Sequence, residues 1–126
     1  MSFVWSDYLD LAKELLGSAV GSPIEEAKLR SAISRAYYAA FNEARNYLVL
    51  NKPGLIIPDT GEAHEIVTNA FLNDTNSDWV TIGNSLNRLK INRRVVDYRN
   101  PVNGLPNLTA ISMRYADTAI AKLKTL

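Results

Sequence analysis

The chain contains no cysteine, which excludes disulfides and thiolate metal sites. Its one histidine is His64, so a zinc site would lack ligands. No Gly-rich phosphate loop, no His-Glu-x-x-His and no Gly-x-Ser-x-Gly elbow occurs. The paired Glu-x-x-His ligands of a di-iron bundle are missing too. No apolar run approaches the ~18 residues that span a bilayer. The segment MSFVWSDYLD lacks the basic region and apolar run of a signal peptide. Neither sign of charge dominates: 14 basic side chains face 13 acidic ones. An anion site would have to come from local clustering. These absences predict a soluble, cytoplasmic domain over 1–126, with no metal, cofactor or membrane segment.

What is present is helical patterning. With 47% hydrophobic residues in 126, a real core can be buried. Apolar residues at 5, 8, 9, 11, 12, 15 and 16 predict a first helix over Trp5–Leu16, with Ser6 as cap and Gly17 as stop. Ser22-Pro23-Ile24-Glu25 has the form of a capping box with Pro at the first helical position. No Pro or Gly then follows until Pro53, which predicts a long helix over Pro23–Leu50. The segment 51–60 is a loop whose Leu55, Ile56 and Ile57 are expected to pack down on the body. Asp59-Thr60-Gly61-Glu62 is expected to cap a third helix to Leu72. A fourth helix is expected over Asp78–Tyr98, with Trp79, Ile82, Leu86, Leu89 and Val96 inward. Asn107 is expected to cap a fifth through Lys124, with Leu108, Ile111, Tyr115, Ala119 and Leu123 inside. With no strand-like alternation, the fold class is all-α, an up-and-down bundle of four to five helices.

The second helix has two unlike faces. Leu29, Ile33, Ala36, Tyr37, Ala40, Phe41, Ala44, Tyr47 and Leu48 fall within about 140° and read as core. Arg35, Tyr38, Asn42 and Arg45 fall within about 80° on the other side. On the fourth helix Arg93 occupies a core-facing gap, and Asp97 one turn on can partner it. Arg88, Lys90 and Arg94 add positive charge. Arginines beside aromatic rings suit a phosphate and a stacked base, or a partner's acidic surface, or an internal salt-bridge network. Arg35, Tyr38, Arg93 and Asp97 are expected to share one cleft. His64, alone in the first turn of the third helix, reads as a rim residue.

The run SAISRAYYAAFNEARNYL (Ser31–Leu48) resembles the second-helix signature of HEPN domains, Ser-x-x-Arg-Ala-Tyr-Tyr-Ala-x-Phe. Gly61-x-x-His64 followed by Phe71 resembles the family's third-helix element. Leu89-x-x-x-Arg93-x-x-x-Asp97-Tyr98 resembles its fourth-helix Arg-x-x-x-Asp-Tyr element. The resemblance spans residues 4 to 122. It implies a HEPN-like bundle that forms a homodimer with a cleft between subunits. It also implies a partnership with a minimal nucleotidyltransferase, often as a toxin–antitoxin module. Ribonuclease members carry an Arg followed four to six residues later by His. Here those positions hold Asp97, Tyr98 and Arg99. The resemblance therefore implies a non-catalytic protein that binds a nucleotide, RNA or the nucleotidyltransferase through Arg35, Tyr38, Arg93, Asp97 and Tyr98, with Asn42, His64 and Arg94 as further candidates. The alternatives are a metal-independent ribonuclease with a degenerate site and a purely structural helical dimer.

Overall fold

The computed structural model describes residues 3–126. Among these there are five helices and no strand: α1 Asp7–Gly17, α2 Glu25–Asn51, α3 Glu62–Leu72, α4 Ser77–Tyr98 and α5 Leu105–Thr125. None is long and apolar enough to cross a membrane.

The longest helix is α2, unbroken over 27 residues, and it packs against each of the other four. Its sequence explains that centrality. Ala32, Ala36, Ala40 and Ala44 recur every four residues and are fully buried, so neighbouring helices can approach its axis closely. Tyr37, Phe41 and Leu48 supply the bulk that fills the space between. A smaller cluster of Ala19, Leu29, Ile33, Val96 and Leu105 closes the end where the start of α2 meets the end of α4.

Helix ends depart from the sequence expectation in four places. Ser6 makes no side-chain cap, and neither does the Asp59–Glu62 segment. At α2 the Ser22 side chain accepts from the Ile24 amide at 3.3 Å, while its carbonyl takes the Glu25 amide. The serine thus shapes a turn, Ile24 becomes the cap residue and Pro23 lies outside the helix. At α5 the cap is Gly104, in the left-handed region at φ 65, a conformation that favours glycine. Pro106 then falls in the first turn, where no amide is needed, and Asn107 lies inside the helix. Side-chain capping does operate at α4, where Asn76 accepts from the amides of Asp78 and Trp79 at 2.8 and 3.3 Å.

Two apolar segments also sit differently from expectation. Ile57 packs on the core, but Leu55 and Ile56 are exposed. On α5 the buried stripe runs through Leu105, Thr109, Ser112, Met113, Ala116, Ala119, Ile120 and Leu123, leaving Ile111 facing out. Thr109 and Ser112 can be buried because their hydroxyls donate to the carbonyls of Leu105 and Leu108, each at 2.8 Å.

The contact of α3 with α4 depends on Gly83. A Cβ there would lie 2.9 Å from the Leu72 backbone nitrogen and 2.8 Å from its Cγ. Only the absence of a side chain permits that approach.

Candidate functional site

Four helical turns, two on α2 and one each on α3 and α4, bring the polar residues together. Arg93 is the hub. Its side chain is 17% exposed, and its guanidinium lies over two rings, 5.1 Å from the Tyr37 centroid and 5.5 Å from that of Tyr38. It donates to the Tyr38 hydroxyl at 3.2 Å and to the Asp97 carboxylate at 3.4 Å. Its Nε is buried without a partner. The other carboxylate oxygen of Asp97 accepts from Ser34 at 3.2 Å. The expected meeting of Tyr38, Arg93 and Asp97 is therefore present. The i+4 spacing places Asp97 only about 40° around the helix from Arg93.

Behind this hub lies an aromatic stack. The Tyr37 hydroxyl is paired with His64 Nδ1. The His64 ring lies 4.4 Å from the Phe41 centroid and 5.5 Å from that of Tyr37. Burial pushes the Tyr37 phenol well above its ordinary range, with the Arg93 charge pulling the other way. It stays protonated and is suited to donate. Burial lowers the pKa of His64, and the Arg93 and Lys90 charges lower it further. A neutral imidazole accepting at Nδ1 keeps its own proton on Nε2. His64 is thus half-buried in the first turn of α3, as its sequence position suggested, with its ring engaged in the stack. Tyr37 read as core, and it is core; its polar end, however, is part of the site.

On the outer side of Asp97 is a hollow of about 220 Å3, lined by Arg30, Ser31, Ser34, Arg35 and Asp97. Arg35 meets Asp97 here, but its guanidinium lies over the Tyr8 ring of α1 at 5.2 Å. Among the described residues no carboxylate pairs with it. Arg93 borders this hollow only through its hold on Asp97. The expected single cleft is in fact two adjoining layers, a buried Arg93 hub and an open Arg35 hollow. Arg30 is a residue that the sequence reading passed over. It donates from Nε and Nη2 to Glu26 at 3.1 and 2.9 Å, and from Nη1 to the carbonyls of Val96 and Arg99 at 2.6 and 2.8 Å. The last turn of α4 has no basic residue of its own, and Arg30 supplies the missing cation to that negative helix end.

The remaining candidates lie elsewhere. Tyr98 is 79% exposed and, with Arg94, lines a separate hollow of about 320 Å3. Five residues beyond Arg93 amounts to about 140° around the helix, which turns Tyr98 away from the hub. Asn42 donates to the Tyr38 carbonyl of its own helix at 2.9 Å. Among the described residues no group of three or more His, Cys, Asp or Glu is placed to hold a metal ion. Comparison of the chain with models of protein families, with curated proteins and with solved structures gives no match.

Proposed function

We propose that the protein is a HEPN-like binding domain that takes the phosphate of a nucleotide or RNA in the Arg35 hollow, without catalysing a reaction on it. The observation that carries this reading is the charge inventory of the hollow. Arg30 and Arg93 are engaged with Glu26 and Asp97. Arg35 is left as a cation without a carboxylate, beside the hydroxyls of Ser31 and Ser34. The Arg35 guanidinium and the Ser31 hydroxyl are suitable donors for a phosphate, while the Ser34 hydroxyl is already given to Asp97. A hollow of about 220 Å3 is smaller than the roughly 300 Å3 at which small-molecule pockets begin. It fits a phosphate group, with any base or sugar lying outside it.

The degenerate ribonuclease is disfavoured by position. The one imidazole is tied to Tyr37 and does not line the hollow, and Tyr98 is on another side of α4. The family resemblance adds a homodimer and a nucleotidyltransferase partner of a toxin–antitoxin type to the proposal.

The test is titration with inorganic phosphate, AMP and a short oligouridylate, followed by calorimetry and amide NMR shifts. The expected result is binding that maps to Ser31–Arg35 and weakens about tenfold in Arg35→Ala, the loss of about 1.4 kcal/mol for one charge-assisted contact. Binding that ignores Arg35→Ala, or that is absent at millimolar ligand, overturns the reading.

A further inference from the structure

The outer side of α4 carries a second feature, separate from the Arg35 hollow. Where α4 meets α5 an open cavity of about 670 Å3 is lined by Thr81, Asn84, Arg88 and Ile91 with Tyr115 and Thr118. Ile91 also borders the adjacent 320 Å3 hollow of Arg94, Val95, Tyr98 and Arg99. The two run on end to end, so one trough follows α4 from Thr81 to Tyr98. At 1.5 Å per residue that is about 25 Å.

The trough has a consistent chemistry. Arg88, Arg94 and Arg99 pair with no carboxylate among the described residues, and no acidic side chain lines either part. From Trp79 to Val96 the helix has four basic residues and no acidic one. Its centre is aliphatic: Ile91, which lines both parts, is 45% exposed, and the half-buried Val95 follows one turn on.

We propose that this trough is the docking site for an acidic amphipathic helix of a partner protein. Ile91 and Val95 call for an apolar ridge, and the flanking arginines call for carboxylates on either side of it, the pattern of helix-in-groove recognition. A nucleic acid would use the arginines and the rings of Tyr98 and Tyr115, but it would leave the exposed Ile91 between them without a partner, since bases stack on ring faces. A second copy of the chain fits poorly, because a twofold contact centred here sets unpaired arginines against themselves. The length of the trough suits a helix of about 17 residues.

The probe is a labelled helical peptide of about 17 residues with leucines on one stripe and glutamates flanking it, compared with a lysine-flanked twin and an oligouridylate. Fluorescence anisotropy should show the glutamate peptide binding at least about tenfold tighter than the twin. Ile91→Asp should weaken it by about tenfold or more, and the Arg88→Glu/Arg94→Glu double variant should reverse the preference. These side chains are exposed, and circular dichroism checks that each variant is folded. Equal affinity for the two peptides, no binding of either at about 1 mM, or an oligouridylate that occupies the trough and ignores Ile91→Asp would overturn the proposal. Arg35→Ala leaves this binding unchanged, so its failure and that of the phosphate reading are read separately.

Discussion

Arg93 and Tyr38 are joined twice: the guanidinium lies over the Tyr38 ring, 5.5 Å from its centroid, and donates to the same residue's hydroxyl at 3.2 Å. With the Tyr37 ring at 5.1 Å, the cation is held between two aromatic neighbours of α2. Replacing Arg93 by Ala should lower stability by about 2 kcal/mol, from lost cation–π and hydrogen-bonding energy. It should also weaken phosphate binding per folded molecule, because Asp97 is left uncompensated at the wall of the hollow. Arg93→Lys should recover less than half of the stability, since an ammonium cannot stack as a plane. Urea unfolding and calorimetry check both parts. A variant that is less stable but binds phosphate as before makes the hub purely structural.

His64 is the single imidazole of the chain and therefore its own NMR probe. Burial, Arg93 and Lys90 hold its pKa below the ordinary value. Arg93→Ala should raise it toward the ordinary value, and Lys90→Ala should raise it less. The sign for stability follows from linkage. An unfolded imidazole takes up its proton near pH 6.5, while the folded one resists until lower pH. The unfolded state therefore binds more protons in that window. Stability is fully present above about pH 6.5 and falls as pH drops from there through the folded pKa. His64→Phe should flatten this part of the profile. A profile identical to that of the original chain would show that His64 does not set it.

Tyr37→Phe keeps the ring stack and removes one hydroxyl. The loss should be about 1 kcal/mol, measured by urea unfolding. Both Nδ1 of His64 and the Arg93 position are affected, so the His64 titration should shift as well. An unchanged titration would show that the Tyr37–His64 pair does not govern the imidazole.

Gly83→Ala should destabilise by roughly 1–2 kcal/mol even though Ala is the better helix former by about 1 kcal/mol. The new methyl would meet the Leu72 backbone nitrogen at 2.9 Å, and backbone yields less readily than a side chain. Gly17→Ala, where a Cβ meets nothing within 4 Å, should be neutral or stabilising. If Gly83→Ala raises the urea midpoint, α3 and α4 are not in close contact.

Asn76→Ala removes the acceptor of two α4 amides and should cost about 1 kcal/mol. Asn107→Ala, where the sequence placed a cap, should change stability by less than about half of that.

The helices were legible because Pro and Gly positions and apolar spacing agree on where each lies, although none of the four expected side-chain caps forms. The errors arose where one residue type serves two purposes. Ser22 uses its side chain for a turn instead of a cap, and Gly104 starts α5 through its backbone freedom. Ile111 read as core on spacing alone, because buried Thr109 and Ser112 give no apolar signal. In the site, Arg93 and Asp97 were legible from a charged gap in an apolar series. Tyr37 and His64 were not, since a buried tyrosine shows its polar end only once its neighbours from another helix are known. Arg30 could have been suspected from Glu26, four residues earlier, but its main partners lie far along the chain at Val96 and Arg99.

The grip of Arg30 on the Val96 and Arg99 carbonyls has a consequence for the proposed phosphate site. Helix ends ordinarily fray and exchange their amides early. The last turn of α4 is instead fastened across to α2, so its amides should resist exchange nearly as long as those of the helix centre. Asp97 and the wall of the hollow then have their shape before any ligand arrives, and binding orders little that was not ordered already. Arg30→Met would loosen that wall while leaving Arg35 in place. Its mark should be faster exchange at Val96–Arg99 and a more unfavourable binding entropy, with the same groups touching the phosphate.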